Sequence, residues 1–467
     1  MQRGDNKSSI VGRKEGTMMN NKVGPETGVA VKMTRFRWII ALMIFLVYTV
    51  AAADRANLGM ALPFMRKEFV MSNTEAGALA SLFLLAYGLA QVPAGFVYSK
   101  FGVRSVFPYA MVATSVVTGL IGTAGSVLML KVYRFLLGLA EGPLPIGVTS
   151  TINHWFPSKE KGTVTGIFYA AAKFGPVIVP PLCAWIVLAY GWREIFLIFS
   201  VPGVLLSLAW YILVKNQPAE SKYCSVAERQ YIESGVDQTT AAKGVKTREY
   251  KLVWLDKFVR AKRMTPLATK GEIFRSWDLW GVALGYFFMG AIVQVLVTWI
   301  PTYLVTVKHF AVIKMGFVAA APWMGAVVGN LVGGWFSDNI LNKRRKPNMM
   351  FTAFATVFMM YSLIYAPNDP YILAALMFMV GVMLNIGYSA YLVYPMGLTT
   401  KKTFPIGCSL VNMSGQFGGA AAPLITGMLL DNYSWDAVWI FLAVCSLLCL
   451  AILFTIHEPV DDPLADR

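Results

Sequence analysis

The chain has 467 residues, 56% of them hydrophobic and only 14% charged, with a mean hydropathy of +0.56. A soluble domain carries about 25% charged residues, so this composition excludes an ordinary water-soluble enzyme or binding domain. The net charge of +16 would suit a nucleic-acid partner, but its placement along the chain points to membrane topology instead.

A polar amino-terminal tail, residues 1–37, comes first and lacks an apolar signal-peptide core. Its "RKEGTMM" stretch is compatible with a purine-rich ribosome-binding site in the gene, which makes Met18 or Met19 an expected alternative start. Six apolar runs follow, at 38–60, 74–98, 104–125, 127–152, 161–189 and 194–214. After a hydrophilic linker, 215–276, six more occupy 277–307, 312–338, 348–366, 369–396, 402–430 and 434–456, and a tail, 457–467, closes the chain. Each run is long enough for a hydrocarbon core of roughly 30 Å. The predicted fold class is an all-α membrane protein with 12 transmembrane helices, arranged as a six-helix half over 38–214 and another over 277–456.

Positive clusters fall in alternate connections: Lys100 and Arg104, Lys159 and Lys161, Lys343 to Lys346, Lys401 and Lys402, together with the linker and the first tail. Arg66, Lys67, Lys308 and Lys314 are exceptions. This is the positive-inside pattern. It predicts a multi-pass protein of a bacterial inner membrane with both termini cytoplasmic, its basic groups meeting lipid headgroups rather than nucleic acid. The five cysteines form no C-x-x-C pair and read as buried thiols, and the three histidines sit near span ends. No metal and no cofactor other than a coupling proton is expected.

The halves echo each other. "KFGPVIVPPL" at 173–182 matches "QFGGAAAPL" at 416–424, "GWREIF" at 191–196 matches "SWDAVWIF" at 434–441, and "GFVYSKFGVR" at 95–104 parallels "GGWFSDNILNKRR" at 333–345, all offset by about 240 residues. Parallel six-helix repeats with a midplane site between them are a transporter architecture. Here the chain resembles the major facilitator superfamily. That family's loop signature is partly met by Gly95, Lys100, Gly102 and Arg104, with Ser99 in the usual Asp position, while the second copy keeps Gly334 and Asp338. The resemblance implies that this loop latches one conformation, and Ser99 puts the first-half latch in doubt.

Ionisable groups at mid-span are few: Asp54 and Arg55 on span one, Arg134 and Glu141 on span four, Lys173 on span five. A charge at bilayer depth costs at least a few kcal/mol and ordinarily faces a cavity with a function. At about 1.5 Å per residue, Asp54 lies about 24 Å from the start of its span. Arg134 and Glu141 are seven apart and share a helix face, with Gly138 between them allowing close approach. Three cations and two carboxylates leave one positive charge, which suits an organic anion. Asp54 and Glu141 are then the candidate proton carriers, each able to take up a proton on one side and release it on the other. The competing reading is that Asp54–Arg55 and Arg134–Glu141 only neutralise each other. Lys173, whose repeat counterpart is the neutral Gln416, is either a substrate ligand or a partner for one acid. Tyr87 and Gln91 on span two, Asn412 and Gln416 on span eleven, and Asn385, Tyr388, Ser389 and Tyr391 on span ten supply polar groups suited to sugar hydroxyls.

A narrower resemblance rests on "DRANL", "AYGLAQVPAG", "RFLLGLAEGPLP" and "HWFPSKEKG". These are similar to the anion:cation symporter family, which includes bacterial D-galactonate, glucarate and hexuronate transporters. By position, the resemblance implies proton coupling at Asp54 and Glu141. It implies that Arg55 and Arg134 tune those acids or meet the substrate carboxylate, and that Tyr87 and Asn412 touch substrate. The departures are Ala52 where galactonate-type members have Tyr, Lys173 for Gln, and Leu392 for Trp, which point to a different substrate.

The expected function is proton-coupled symport of a small organic anion, most simply a sugar acid, by a monomer. The alternatives are a dicarboxylate or phosphorylated-acid transporter, or a non-transporting sensor. Phosphate-ester antiporters are expected to carry a further Arg on span seven, and 277–307 has none. No nucleophile–base pair or metal cluster points to an enzyme.

Overall fold

The computed structural model describes residues 33–237, 253–400 and 403–460. Met18 and Met19, the Lys401–Lys402 pair and residues 461–467 lie outside the described residues. In hydrocarbon, backbone N–H and C=O groups have no water to bond, so apolar runs close their hydrogen bonds as helices. The first half comprises α1 (Phe36–Phe69), α2 (Asn73–Phe101), α3 (Val103–Gly122), α4 (Val127–Glu141), α5 (Leu144–Trp155), α6 (Ser158–Tyr190) and α7 (Trp192–Leu213). The linker contributes α8 (Val226–Asp237), α9 (Val253–Phe258), strand β1 (Ala261–Lys262) and α10 (Lys270–Arg275). The second half holds α11 (Trp277–Thr306), α12 (Val312–Asn339), α13 (Lys346–Ser362), α14 (Pro370–Asn385), the short α15 (Ala390–Val393) and α16 (Pro395–Leu398), α17 (Phe404–Asn432) and α18 (Trp435–Thr455), then strand β2 (Glu458–Pro459).

Among the described residues, ten helical segments are long and apolar enough to cross a membrane, or eleven with the bent α2. The remaining expected span, 402–430, is α17: 29 residues long, but diluted by Gly, Ser, Asn and Gln. Two expected spans are not continuous. The run 127–152 breaks at Gly142 and Pro143 between α4 and α5, where proline removes an N–H. The run 369–396 loosens after Asn385, and the freed Gly387 N–H is recaptured by the Thr352 hydroxyl of α13 at 2.6 Å. Turn chemistry sets the ends elsewhere. Ser72 and Glu75 form a capping box at the start of α2, and Gly102 joins α2 to α3 at φ +74°, where a Cβ would be strained.

The start of α1, the described parts of the linker and the end of α18 gather at one end of the bundle, called here the terminal end. Glu228 of α8 accepts from the N–H groups of Phe36 and Arg37 at 3.1 and 3.2 Å, capping α1. Glu458 does the same for α13, accepting from the N–H groups of Arg345 and Lys346 at 2.8 and 2.7 Å. Around it β1 pairs in parallel with β2, Lys346 Nζ donates to the carbonyls of Val259 and Ile456 at 2.8 and 2.6 Å, and Arg344 grips Asp256 bidentately.

At the opposite, far end the halves are pressed together. The Asp431 carboxylate at the end of α17 accepts from the backbone N–H and side chain of both Asn73 and Thr74, at 2.6–2.8 Å, capping α2 of the other half. Glycines let backbones meet here. A Cβ on Gly77 would overlap the Pro423 carbonyl, one on Gly59 the Val297 carbonyl, and one on Gly316 of α12 would lie 2.6 Å from Ala184 Cβ and 2.8 Å from Pro180 O of α6. Toward the terminal end, a Cβ on Gly88, Gly95 or Gly166 meets nothing within 4 Å. The halves are closed at the far end.

Candidate functional site

The mid-depth charges assemble from α1, α4 and α6, but not in the pairs that sequence proximity offers. Arg55 Nε and Nη2 both donate to Glu141 Oε1, at 2.9 and 2.8 Å, linking α1 to α4. Glu141 is 1% exposed and its Oε2 has no partner, whereas the Arg55 side chain keeps 25% exposure and stacks over the Tyr87 ring at 4.6 Å. Arg55 is thus the cation of this pair that opens to the space between the halves.

Arg134 shares the Glu141 face, as its spacing requires, yet makes no ion pair with it. Its Nε donates to the Leu79 carbonyl at 3.2 Å, its guanidinium lies over Phe83 at 4.6 Å, and Nη1 has no partner. Gly138 allows this: a Cβ there would overlap the Phe83 carbonyl, so α4 sits directly on α2. Asp54 turns the other way. Only 3% exposed, it accepts from the Thr118 hydroxyl of α3 at 3.2 Å and from Asn57 Nδ2 at 3.3 Å, while Cys183 of α6 donates to Asn57 Oδ1 at 3.4 Å. The two acids therefore differ: Glu141 is held by a partly exposed arginine, and Asp54 by neutral donors inside the first half.

Lys173 reaches across to the second half. Its Nζ donates to Asn385 Oδ1 at 3.4 Å and lies 5.1 Å from the centre of the Tyr388 ring and 5.8 Å from that of Trp323. Asn385 also accepts from Asn330 at 3.3 Å, and Tyr388 packs on Tyr286 at 5.1 Å. Among the described residues no carboxylate lies within 4 Å of Lys173. Asn412 and Gln416 on α17 are partly exposed, and neither hydrogen-bonds to a described residue. Trp323 and Tyr388, the latter packed on Tyr286, set aromatic faces around the Lys173 ammonium. Trp323 and Thr118 escaped sequence reading because both sit in runs where an aromatic or a threonine is ordinary.

The two signature loops stay within their own halves. Ser99 bonds its own helix at Phe96 O (2.8 Å), Lys100 lies over Phe101, and the Arg104 N–H donates to Asn216 Oδ1 at 2.9 Å. Asp338 pairs with Arg345 at 2.8 Å, and a Cβ on Gly334 meets nothing. Among the described residues the hydrogen bonds joining the halves are the Asp431 set and Lys173–Asn385.

The chain is 28% identical over 460 residues to a protein of Escherichia coli K12 described as a probable L-galactonate transporter, covering 95% of each. It is likewise 28% identical over 442 residues to a probable galactarate/D-glucarate transporter of the same organism, covering 90% of this chain and 95% of that one. Among solved structures, a bacterial homologue of the human lysosomal transporter Spinster, inward-facing and unoccupied, superposes with a TM-score of 0.72 at 16% identity, covering 90% of this chain and 97% of the other. The family model described as Major Facilitator Superfamily matches residues 44–396 and 314–467. With its paired six-helix halves and charged midplane, this chain belongs to the major facilitator superfamily.

Proposed function

We propose that the chain carries a sugar acid, an aldonate, aldarate or hexuronate, into a bacterial cell together with protons, with both termini cytoplasmic. The observation that carries this reading is Arg55: a half-open cation already holding a carboxylate, Glu141, through two of its donors. An incoming substrate carboxylate competes for the same guanidinium. Glu141, once released in so dry a place, is accommodated as the neutral acid, so anion arrival and proton uptake are linked. Tyr87 beside Arg55, Asn385 beside Lys173, and the partly exposed Asn412 and Gln416 of α17 offer donors and acceptors for sugar hydroxyls. With the far end closed, the site faces the terminal end, and alternating access requires the Asp431 contacts to open for loading. The relatives named for galactonate and for galactarate or glucarate support this substrate class.

The test is uptake into proteoliposomes under an imposed pH gradient. Purified protein is expected to accumulate labelled galactonate or galactarate when the outside is acidic. Asp54→Asn is expected to abolish pH-driven accumulation while leaving substrate exchange at equal pH. Accumulation unchanged in that variant removes Asp54 from coupling, and uptake indifferent to the gradient in the natural protein removes proton coupling altogether.

A further inference from the structure

Lys173 stands apart from the other mid-depth charges. Arg55 is engaged by Glu141, and Arg134 is sealed within the first half, whereas Lys173 is partly exposed and its neighbours are neutral: Asn385, Tyr388 and Trp323. The fold does not require a cation at this place, because the equivalent position of the second repeat is Gln416. An unmatched ammonium at membrane depth is costly unless an anion completes it. It also lies beside the helix that carries Arg55: a Cβ on Gly175, two residues along α6 from Lys173, would be 2.7 Å from Thr49 O and 3.1 Å from Ala52 Cβ of α1.

We propose that Lys173 is a second anion subsite and that the substrate carries two acid groups, one received at Arg55 and the other at Lys173. The inference rests on the sugar-acid reading and narrows it to aldarates and comparable diacids. Charge balance supports it. With both acids ionised, the three mid-depth cations, counting the sealed Arg134, leave the chamber and its walls together one charge positive. A monoanion already balances that charge with both acids ionised, so its demand for a proton comes only from the release of Glu141 by Arg55. A dianion leaves the chamber one charge negative, and a single proton on Glu141 or Asp54 then restores neutrality, the condition under which a loaded site most readily crosses low dielectric. Lys173 thus adds one substrate charge while preserving the demand for a proton. Asn385 and Asn330 hold the lysine toward the second half, and the faces of Tyr388 and Trp323 favour its cation without neutralising it.

The experiment measures binding of galactarate and of galactonate, the diacid and monoacid of one carbon skeleton, to the purified full chain, its Lys173→Gln variant and its Lys173→Arg variant. The natural protein is expected to bind galactarate more tightly. Lys173→Gln should weaken galactarate about 10- to 100-fold, the scale of one charge-assisted contact, and galactonate less than about threefold; Lys173→Arg should restore most of the galactarate affinity. Equal weakening of both ligands, or preference of the natural protein for galactonate, overturns the proposal while leaving the sugar-acid reading intact. Binding of neither ligand overturns that reading and this one with it. Monodisperse gel filtration of Lys173→Arg shows that the position tolerates substitution, and absence of rescue in that folded variant also counts against a charge role.

Discussion

Gly316→Ala tests whether the far-end seal governs which way the transporter faces. The added methyl would lie 2.6 Å from Ala184 Cβ and 2.8 Å from Pro180 O, both on the other half. Carbon atoms pack comfortably at about 3.5–4.0 Å, so α12 and α6 must separate by roughly 1 Å. Overpacking of this size costs about 1–3 kcal/mol, and the cost falls only on the closed-far-end state. The equilibrium should therefore move about 5- to 150-fold toward opening at that end. Alanine also favours a helix over glycine by about 1 kcal/mol, so a purely intrahelical account predicts a more stable protein with no change of state. The assay is the distance distribution between spin labels at Val70→Cys and Tyr371→Cys, exposed far-end positions of the two halves. Four of the five native cysteines are buried, which limits background labelling. A larger long-distance population is expected. An unchanged or shortened distribution would refute the reasoning.

Asp431→Asn should act in the same direction, because it removes the charge that caps α2 from the other half. The carboxylate is exposed, so the effect is set at about 1 kcal/mol, roughly fivefold in population; the same label pair reads it, and no shift would make the bonds incidental. Burial pushes the Glu458 carboxyl up to about 7, against the pull of the Arg345 and Lys346 N–H groups. Because the folded value is raised, folding takes up a proton between about pH 4.5 and 7. The stabilisation is fully present below that window and lost as pH rises through it, a swing of about 3 kcal/mol. Thermal unfolding of the natural protein minus that of Glu458→Gln should show this slope, and parallel pH profiles would remove Glu458 as its source.

The sequence conveyed depth well and rotation poorly. Counting residues along each apolar run located Asp54, Glu141 and Lys173 at mid-depth, and the spacing of Arg134 and Glu141 correctly put them on one face. Which helix that face meets depends on packing between segments far apart in the chain. Glu141 therefore pairs with Arg55, 86 residues away, rather than with its own helix neighbour. Asp54 and Arg55, adjacent in sequence, point to different surroundings because successive helical residues diverge by about 100°. One exception to the charge pattern, Lys308, resolves the same way: it is used locally, donating to Ala366 O and to Asn368 Oδ1 at 3.0 Å. The breaks near Gly142 and Gly387 were hidden because hydropathy reports apolar content and is blind to a lost backbone bond repaired by a neighbour such as Thr352.

Glu228 and Glu458 cap the first helix of one half and a terminal-end helix of the other, and each belongs to a segment bonded to that same half. In mechanical terms the described parts of the linker are flanges rather than a hinge: one is bolted to α1, the other to α13 and the end of α18. When one half rocks against the other, each flange rides with its own body and its polar bonds keep their lengths. The resistance to motion is thereby left to the contacts that face across the midplane, so the energy landscape of transport is written at the far-end seal and the substrate chamber.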